Sequence, residues 1–234
     1  MPPQLYVSRL EDYTVLNDKY VQMAFELVEP NHLEFFPGQY ISIKVDASGT
    51  RRSYSISSSA DITHGFELLI DTAPQGLGTK YLTSLAVGDQ MPFIGPMGRF
   101  VLMDENEPAV YLIATGSGIA PFFSMAQQLL QVQKTTKEIH LYWGMRHAHH
   151  LFWLDTFAEW EDTFPNFHFH PVLSQPIPEW TLSRGRVTDV LNAQELPQEA
   201  GYYLCGNAAM IAQMMQILEK KRVAPVNIHY EKFY

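Results

Sequence analysis

The chain has 234 residues, 46% of them hydrophobic and 18% charged, a formal net charge of −9, and one cysteine, Cys205. That length supports one large or two small domains with a sizeable core and no need of disulfides or structural metal. A single thiol excludes a disulfide framework and any four-thiolate zinc or iron–sulfur centre built from this chain, and the acidic balance argues against nucleic-acid binding or a polybasic membrane anchor.

Up to about Phe100 the chain shows short apolar runs broken by turn residues. Strands are predicted at Leu5–Leu10, Tyr20–Val28, Tyr40–Val45, Ser53–Ser57, Phe66–Asp71 and Gln90–Ile94. In the third, Ile41, Ile43 and Val45 share one face at period two. Such spacing suggests an antiparallel barrel or sandwich. A polar link at Asp104–Pro108 follows. Beyond it strands and helices alternate. Ala109–Ala114 is a continuous apolar run, as expected of a buried parallel strand. Further strands are predicted at Ile139–Trp143, Phe167–Leu173, Tyr202–Cys205 and Val226–Tyr230. Helices are predicted at Ala120–Val132, Leu151–Trp160, Val187–Leu191 and Ala208–Arg222. Five strands with intervening helices imply a doubly wound parallel sheet.

No stretch approaches the roughly 18 apolar residues of a membrane span. The opening MPPQLYVSRLEDY has no basic segment leading into an apolar run, so no signal peptide and a cytoplasmic location are expected. Arg146-His147-Ala148-His149-His150 has no carboxylate or thiolate at useful spacing, so it is read as a loop and no metal site is predicted. Trp153, Phe157 and Trp160 read as a helix face against the core, as do Met210, Met214, Met215 and Leu218.

Four segments carry candidate chemistry. Thr115-Gly116-Ser117-Gly118 follows the most apolar strand and leads into a helix with Pro121 in its first turn. Such a turn presents backbone amides and a helix N-terminus to phosphate. Its glycine spacing is not the usual dinucleotide fingerprint. Cys205-Gly206-Asn207 again ends a strand and opens a helix containing Met210, with Asn207 as a candidate N-cap. If the two strands are neighbours, both turns face one crevice at their carboxyl ends. In the first half, Arg51-Arg52-Ser53-Tyr54-Ser55 alternates cation, hydroxyl and ring along a strand. Gly76-Leu77-Gly78-Thr79 is a possible amide-lined turn.

Together these segments resemble the ferredoxin–NADP⁺ reductase superfamily, in order and over nearly the whole chain. Phe36-Pro37-Gly38-Gln39-Tyr40 and Gly95-Pro96-Met97-Gly98-Arg99-Phe100 are similar to its barrel motifs. Arg52-Ser53-Tyr54-Ser55 resembles its R-x-Y-S flavin motif, and Gly76–Thr79 its pyrophosphate turn. Thr115–Pro121 and Cys205–Met210 resemble its two nicotinamide-nucleotide motifs. The ending Tyr230-Glu231-Lys232-Phe233 is similar to that of reductases serving oxygenases.

The resemblance implies a six-stranded antiparallel Greek-key barrel (residues 1–103) binding FAD, then a five-stranded parallel domain (residues 104–234) with helices on both faces, binding NAD(P)H. Arg52 would meet the pyrophosphate, Tyr54 one flavin face, and Ser55 the flavin N5. Gly76, Leu77, Gly78 and Thr79 would supply amides and a hydroxyl. Phe233 or Tyr234 would cover the other face. Thr115, Gly116, Ser117, Gly118, Pro121, Gly206, Asn207 and Met210 would line the dinucleotide. Cys205 and Glu231 would stand where nicotinamide C4 meets flavin N5.

The implied activity is hydride transfer from NAD(P)H to FAD, then electron transfer to a separate acceptor, a ferredoxin-like protein or an oxygenase component. Free flavin as the substrate is the closest alternative, and a non-catalytic sensor or electron-transfer subunit is one of another class. NADPH-selective members place Ser-Arg after the third strand of the second domain. This chain has Ser174-Gln175 there, so NADH is favoured unless Arg184 or Arg186 reaches the 2′-phosphate.

Overall fold

The computed structural model describes residues 3–103 and 107–233. Its Cα packing separates two compact units, Met1–Leu102 with Phe123–Gln128, and Met103–Phe122 with Leu129–Tyr234.

The first unit is built on β1 (Gln4–Val15), β2 (Tyr20–Glu29), β3 (Tyr40–Lys44), β4 (Arg51–Ser55), β5 (Gly65–Asp71), a short helix α1 (Leu77–Thr83) and β6 (Gln90–Met97). The strands pair antiparallel in the order β4-β3-β6-β1-β2-β5. The two outer strands then meet: Ile56 bridges Leu68, and the Ser57 amide donates to the Glu67 carbonyl at 2.9 Å. This contact closes the sheet into the expected barrel. Period-two alternation explains the inside. On β1, Tyr6, Ser8 and Leu10 are buried while Leu5 and Arg9 are exposed. Phe66 lies edge-on to Phe93 at 5.0 Å and stacks on Phe25 at 5.3 Å, and Tyr6 stacks on Phe93 at 5.1 Å. These rings fill the barrel with large apolar area in preferred geometries. The two barrel motifs meet through Gln39. It accepts from the Phe36 amide at 2.9 Å and donates to the Gly98 carbonyl at 3.3 Å.

The second unit contains β7 (Ala109–Thr115), a 3₁₀ turn (Gly116–Gly118) leading into the first turn of α2 (Ile119–Gln127), whose residues from Phe123 onward group with the first unit, then β8 (Glu138–Met145), α3 (Leu154–Thr163), β9 (Phe167–Leu173), β10 (Ser183–Arg184), α4 (Val187–Ala193), β11 (Gly201–Asn207), α5 (Ala208–Lys220) and β12 (Ile228–Phe233). All pairings are parallel, in the order β10-β9-β8-β7-β11-β12. The predicted five strands are present, and β10 adds a sixth. It pairs only Ser183 and Arg184 with Val172 and Leu173, too short a run for any periodicity to show.

Helices cover both sheet faces. Phe157 of α3 packs on Phe169 at 4.4 Å and against Trp143 at 6.3 Å. On the other face Tyr111, Tyr142 and Tyr202 join Leu191 of α4 and Met210, Met214 and Leu218 of α5 in one buried cluster. Trp153 precedes α3 in a left-handed conformation, and Met215 is 37% exposed, so neither belongs to the predicted core faces. Burial, and then the neighbouring imidazoles, lower the pKa of His170 on β9 to about 4. In the predicted link, residues 104–106 lie outside the described residues. Glu107 is buried and pairs with Lys137 Nζ at 3.6 Å, so that position is not an exposed linker.

The predicted N-cap is present. Asn207 Oδ1 accepts from the Met210 amide at 2.8 Å. Asn207→Ala is expected to lower stability by about 1 kcal/mol, read as a fall in the urea midpoint with unchanged slope.

Candidate functional site

Two clusters of the predicted residues assemble, one within each unit. In the barrel, adjacent arginines have different partners. Arg51 Nε donates to Ser42 Oγ at 2.9 Å, and its Nη2 donates to the Ser42 carbonyl, which ties it to β3. Arg52 is exposed, and its Nη1 donates to the Arg51 carbonyl at 2.8 Å. Alternation puts Arg52 and Tyr54 on one face of β4 and the buried Ser55 on the other.

Helix α1 begins against that first face. A Cβ at Gly78 would meet the Tyr54 hydroxyl and lie 3.0 Å from Arg52 Cγ. Gly76 caps α1 with no side-chain bond, and the first intrahelical bond runs from the Lys80 amide to the Gly76 carbonyl at 2.9 Å. The amides of Leu77, Gly78 and Thr79 therefore have no partner from the helix ladder. The predicted turn is thus the start of a helix. Its amides, the Arg52 stem and the Tyr54 phenol meet at a cradle that only glycine leaves open, with the Arg52 guanidinium exposed on the same face. That donor set suits a pyrophosphate and a planar ring. Burial pushes the Tyr54 phenol up to about 12, with Arg52 opposing, so it stays a neutral hydroxyl. Thr79 is buried, and its hydroxyl donates to the Asp71 carbonyl at 3.3 Å.

In the second unit β7 and β11 are neighbours, with Ala114 opposite Cys205. Their carboxyl-end turns consequently touch. A Cβ at Gly118 would meet the Cys205 carbonyl oxygen and lie 2.9 Å from Gly206 Cα. Thr115 Oγ1 accepts from the Asn207 amide at 3.3 Å and from Asn207 Nδ2 at 3.1 Å. Trp143 Nε1, from β8, donates to the Gly116 carbonyl at 2.9 Å. The Gly116–Gly118 turn is held from both neighbouring strands, with Ser117 half-buried and Pro121 buried behind it. Gly206 takes φ +142°, outside the range open to most side chains.

β12 brings the remaining residues alongside. Glu231 is the Cα partner of Cys205, and Phe233 of Asn207. Tyr234 lies outside the described residues. Cys205 is fully buried, and burial, reinforced by Glu231, raises its thiol well above the usual range. It is a neutral, packed thiol and not a nucleophile.

The segment after β9 carries Gln175, Arg184 and Arg186. The Gln175 amide donates to the Arg146 carbonyl at 2.9 Å. Arg184 Nη2 donates to the carbonyls of Pro178 at 2.8 Å and Trp180 at 2.5 Å, holding the intervening loop. Arg186 is exposed at the start of α4, and its amide donates to Asp189 Oδ2 at 3.1 Å. Sequence reasoning missed the Trp143 bond and the Arg184 tether, because both depend on which strands become neighbours.

Residues 8–102 match the family described as oxidoreductase FAD-binding domain, and residues 112–216 the oxidoreductase NAD-binding domain. The chain is 32% identical over 230 residues to the toluate 1,2-dioxygenase electron transfer component of Pseudomonas putida, covering 97% of this chain and 67% of that one. It is 36% identical over 215 residues to the aromatic O-demethylase reductase subunit of an Amycolatopsis species, covering 88% and 63%. The crystal structure of an Amycolatopsis cytochrome P450 reductase superposes with a TM-score of 0.89 at 31% identity, over 99% of this chain and 70% of that one. The FAD/NAD-binding domain of a Vibrio cholerae nitric oxide dioxygenase shares the fold with a TM-score of 0.87 at 21% identity, over 97% and 98%. The chain thus spans about two thirds of the length of the two curated relatives named. No helix among the described residues is long and apolar enough to cross a membrane.

Proposed function

Since the chain belongs to the ferredoxin–NADP⁺ reductase superfamily, with its FAD-binding and NAD-binding domains in that order, we propose that it is an NAD(P)H-dependent flavoprotein reductase. Its electrons go to a separate protein acceptor of the oxygenase or ferredoxin type. The observation that carries this reading is the pair of glycine-gated cradles, Gly78 against Arg52 and Tyr54, and Gly118 against Cys205, in one chain.

FAD, when bound, supplies hydride acceptance at N5 and one- or two-electron release. The chain's residues bind and orient. Arg52 and the amides at Gly76–Thr79 would hold the pyrophosphate and Tyr54 would pack against the flavin ring, while Ser55, buried on the opposite face of β4, would serve the N5 edge from the strand's last position. The resemblance assigns the second flavin face to Phe233 or Tyr234, of which Tyr234 lies outside the described residues. Thr115–Gly118, Pro121, Gly206, Asn207 and Met210 hold the dinucleotide. Cys205 and Glu231 position the nicotinamide. Held rings turn a bimolecular transfer into an intramolecular one, which lowers the barrier by several kcal/mol.

An oxygenase or similar acceptor is supported by the relatives' roles as an electron transfer component and a reductase subunit. These 234 residues contain one cysteine, so they provide no thiolate-ligated cluster to relay the electrons. A buried, unpaired Cys205 suits the cytoplasm.

The test is anaerobic stopped-flow reduction of the purified protein by NADH and NADPH, followed by an acceptor screen. The protein should purify yellow and reduce ferricyanide with NADH. Colourless protein without NADH oxidation would favour a binding module. Flavin turned over only as added substrate would favour a free-flavin reductase. Because Gln175 replaces a cation and Arg184 is tied to its own loop, exposed Arg186 is the one of the three left to meet a 2′-phosphate, and kcat/KM should favour NADH; a tenfold preference for NADPH overturns that assignment. Cys205→Ala should keep FAD bound yet slow flavin reduction by about tenfold or more, the loss expected when reacting rings are misplaced. An unchanged rate removes Cys205 from nicotinamide positioning.

A further inference from the structure

Outside the two cradles, one side-chain cluster in the second unit has no part in the proposed reaction. Alternation puts Glu138, His140 and Tyr142 on one side of β8. His168 and His170 lie on the same side of β9, as the Cα partners of His140 and Tyr142. The rings stack in a row: Tyr202 on Tyr111 at 5.0 Å, Tyr111 on His140 at 4.6 Å, and His140 on His168 at 4.8 Å. His168 Nε2 meets Glu138 Oε2 at 2.8 Å, and His140 Nδ1 meets His170 Nε2 at 3.3 Å. One potential ligand atom from each of Glu138, His140 and His168 lies within 4.8 Å of the others. His140 and His168 are half-buried and Glu138 is exposed, so the cluster is reachable from solvent.

We infer that Glu138, His140 and His168 form a binding site for a divalent transition-metal ion of the zinc type, with His170 orienting His140 from behind. Two imidazoles and a carboxylate are a borderline donor set. It suits Zn²⁺ and neighbouring ions over Mg²⁺ or Ca²⁺, which take all-oxygen shells. Metal–ligand bonds of about 2 Å place tetrahedral ligand atoms roughly 3.3 Å apart, so each atom needs to move by only about 1 Å. His168 ligates through Nε2, exchanging its hydrogen bond to Glu138 for a shared ion. His140 ligates through Nε2 while its Nδ1–H donates to His170, the outer-shell bond that sets tautomer and ring angle. Water completes the tetrahedron. Glu138 and His140 pair with Ala109 and Tyr111, four to six residues before Thr115 at the start of the turn, so the ligands stand about 13–20 Å from the nucleotide turns at 3.3 Å per residue. The ion is therefore a structural clamp joining β8 to β9 and stands apart from hydride transfer.

The experiment is calorimetric titration of the FAD-loaded full chain with Zn²⁺ alone, paired with Co²⁺ absorption spectroscopy. One ion per chain, with micromolar or tighter affinity, a raised Tm and the visible bands of four-coordinate cobalt are expected. His168→Gln and Glu138→Gln should each weaken Zn²⁺ binding by at least about tenfold, and His170→Asn by about 10–100-fold. The double variant His149→Gln/His150→Gln, in the separate histidine loop, should bind as the parent does. Glu138→Gln, an exposed change, keeps the test valid if His168→Gln unfolds. No ion bound at about 100 µM Zn²⁺, affinity unchanged in Glu138→Gln, or binding lost in the loop variant would each overturn the site.

Discussion

Gly118→Val is expected to lower stability by about 3 kcal/mol or more, the upper range for overpacking a buried position. The new side chain would run into the carbonyl of Cys205 and the Cα of Gly206. These are backbone atoms of a central strand and cannot swing away as a side-chain tip does. Relief requires separating β7 from β11, which breaks the Thr115–Asn207 bonds and moves the α5 N-cap. For a chain of this size the loss corresponds to a fall in Tm of roughly 6–12 °C. NADH binding should fall with it. Ser117→Ala, which adds no atom to the same turn, is the matched control for the melting temperature alone. A Gly118→Val protein that melts with the parent and binds NADH normally would show that the two turns do not share one packed edge.

Gly78→Val should separate fold from cofactor. The groups in its way are the Tyr54 hydroxyl and the Arg52 side chain, both able to move. The barrel should therefore lose only about 1 kcal/mol. The cradle, however, would be filled, and FAD affinity should drop by about 100-fold or more, to nearly colourless purified protein. Arg52→Ala should cost about 1.5–3 kcal/mol of FAD binding, the range for a hydrogen bond to a charged group. Arg52→Lys should recover only part of it, because a point charge lacks the guanidinium fork. Circular dichroism reports the fold, and the visible flavin absorbance per protein reports the flavin. A yellow Gly78→Val protein would move the pyrophosphate elsewhere.

The sequence carried the strands, the two-part architecture and the two carboxyl-end turns, because those depend on local periodicity and on glycine beside apolar runs. Asn207 was legible as a cap for the same reason: short polar caps act within one helical turn. Three kinds of feature were not legible. Helix α1 starts within Gly76–Thr79 and runs on to Thr83, but two glycines at its start outweigh the helical tendency of the residues after them. The division of labour between Arg51 and Arg52 depends on Ser42, which is adjacent only after β3 and β4 pair. The histidines of β8 and β9 look like scattered polar residues until parallel register sets His140 beside His168.

One pairing has a kinetic consequence. Thr115 and Asn207, which lock the two carboxyl-end turns together, are 92 residues apart in the chain. During synthesis β7 can recruit β8 early, but it must wait for nearly the whole second unit to leave the ribosome before β11 arrives. Parallel pairings of such long range are slow to close and leave apolar strand edges bare meanwhile. Limited chaperone capacity during overexpression should therefore show first in this unit, as loss of nucleotide binding among chains whose barrels have already formed.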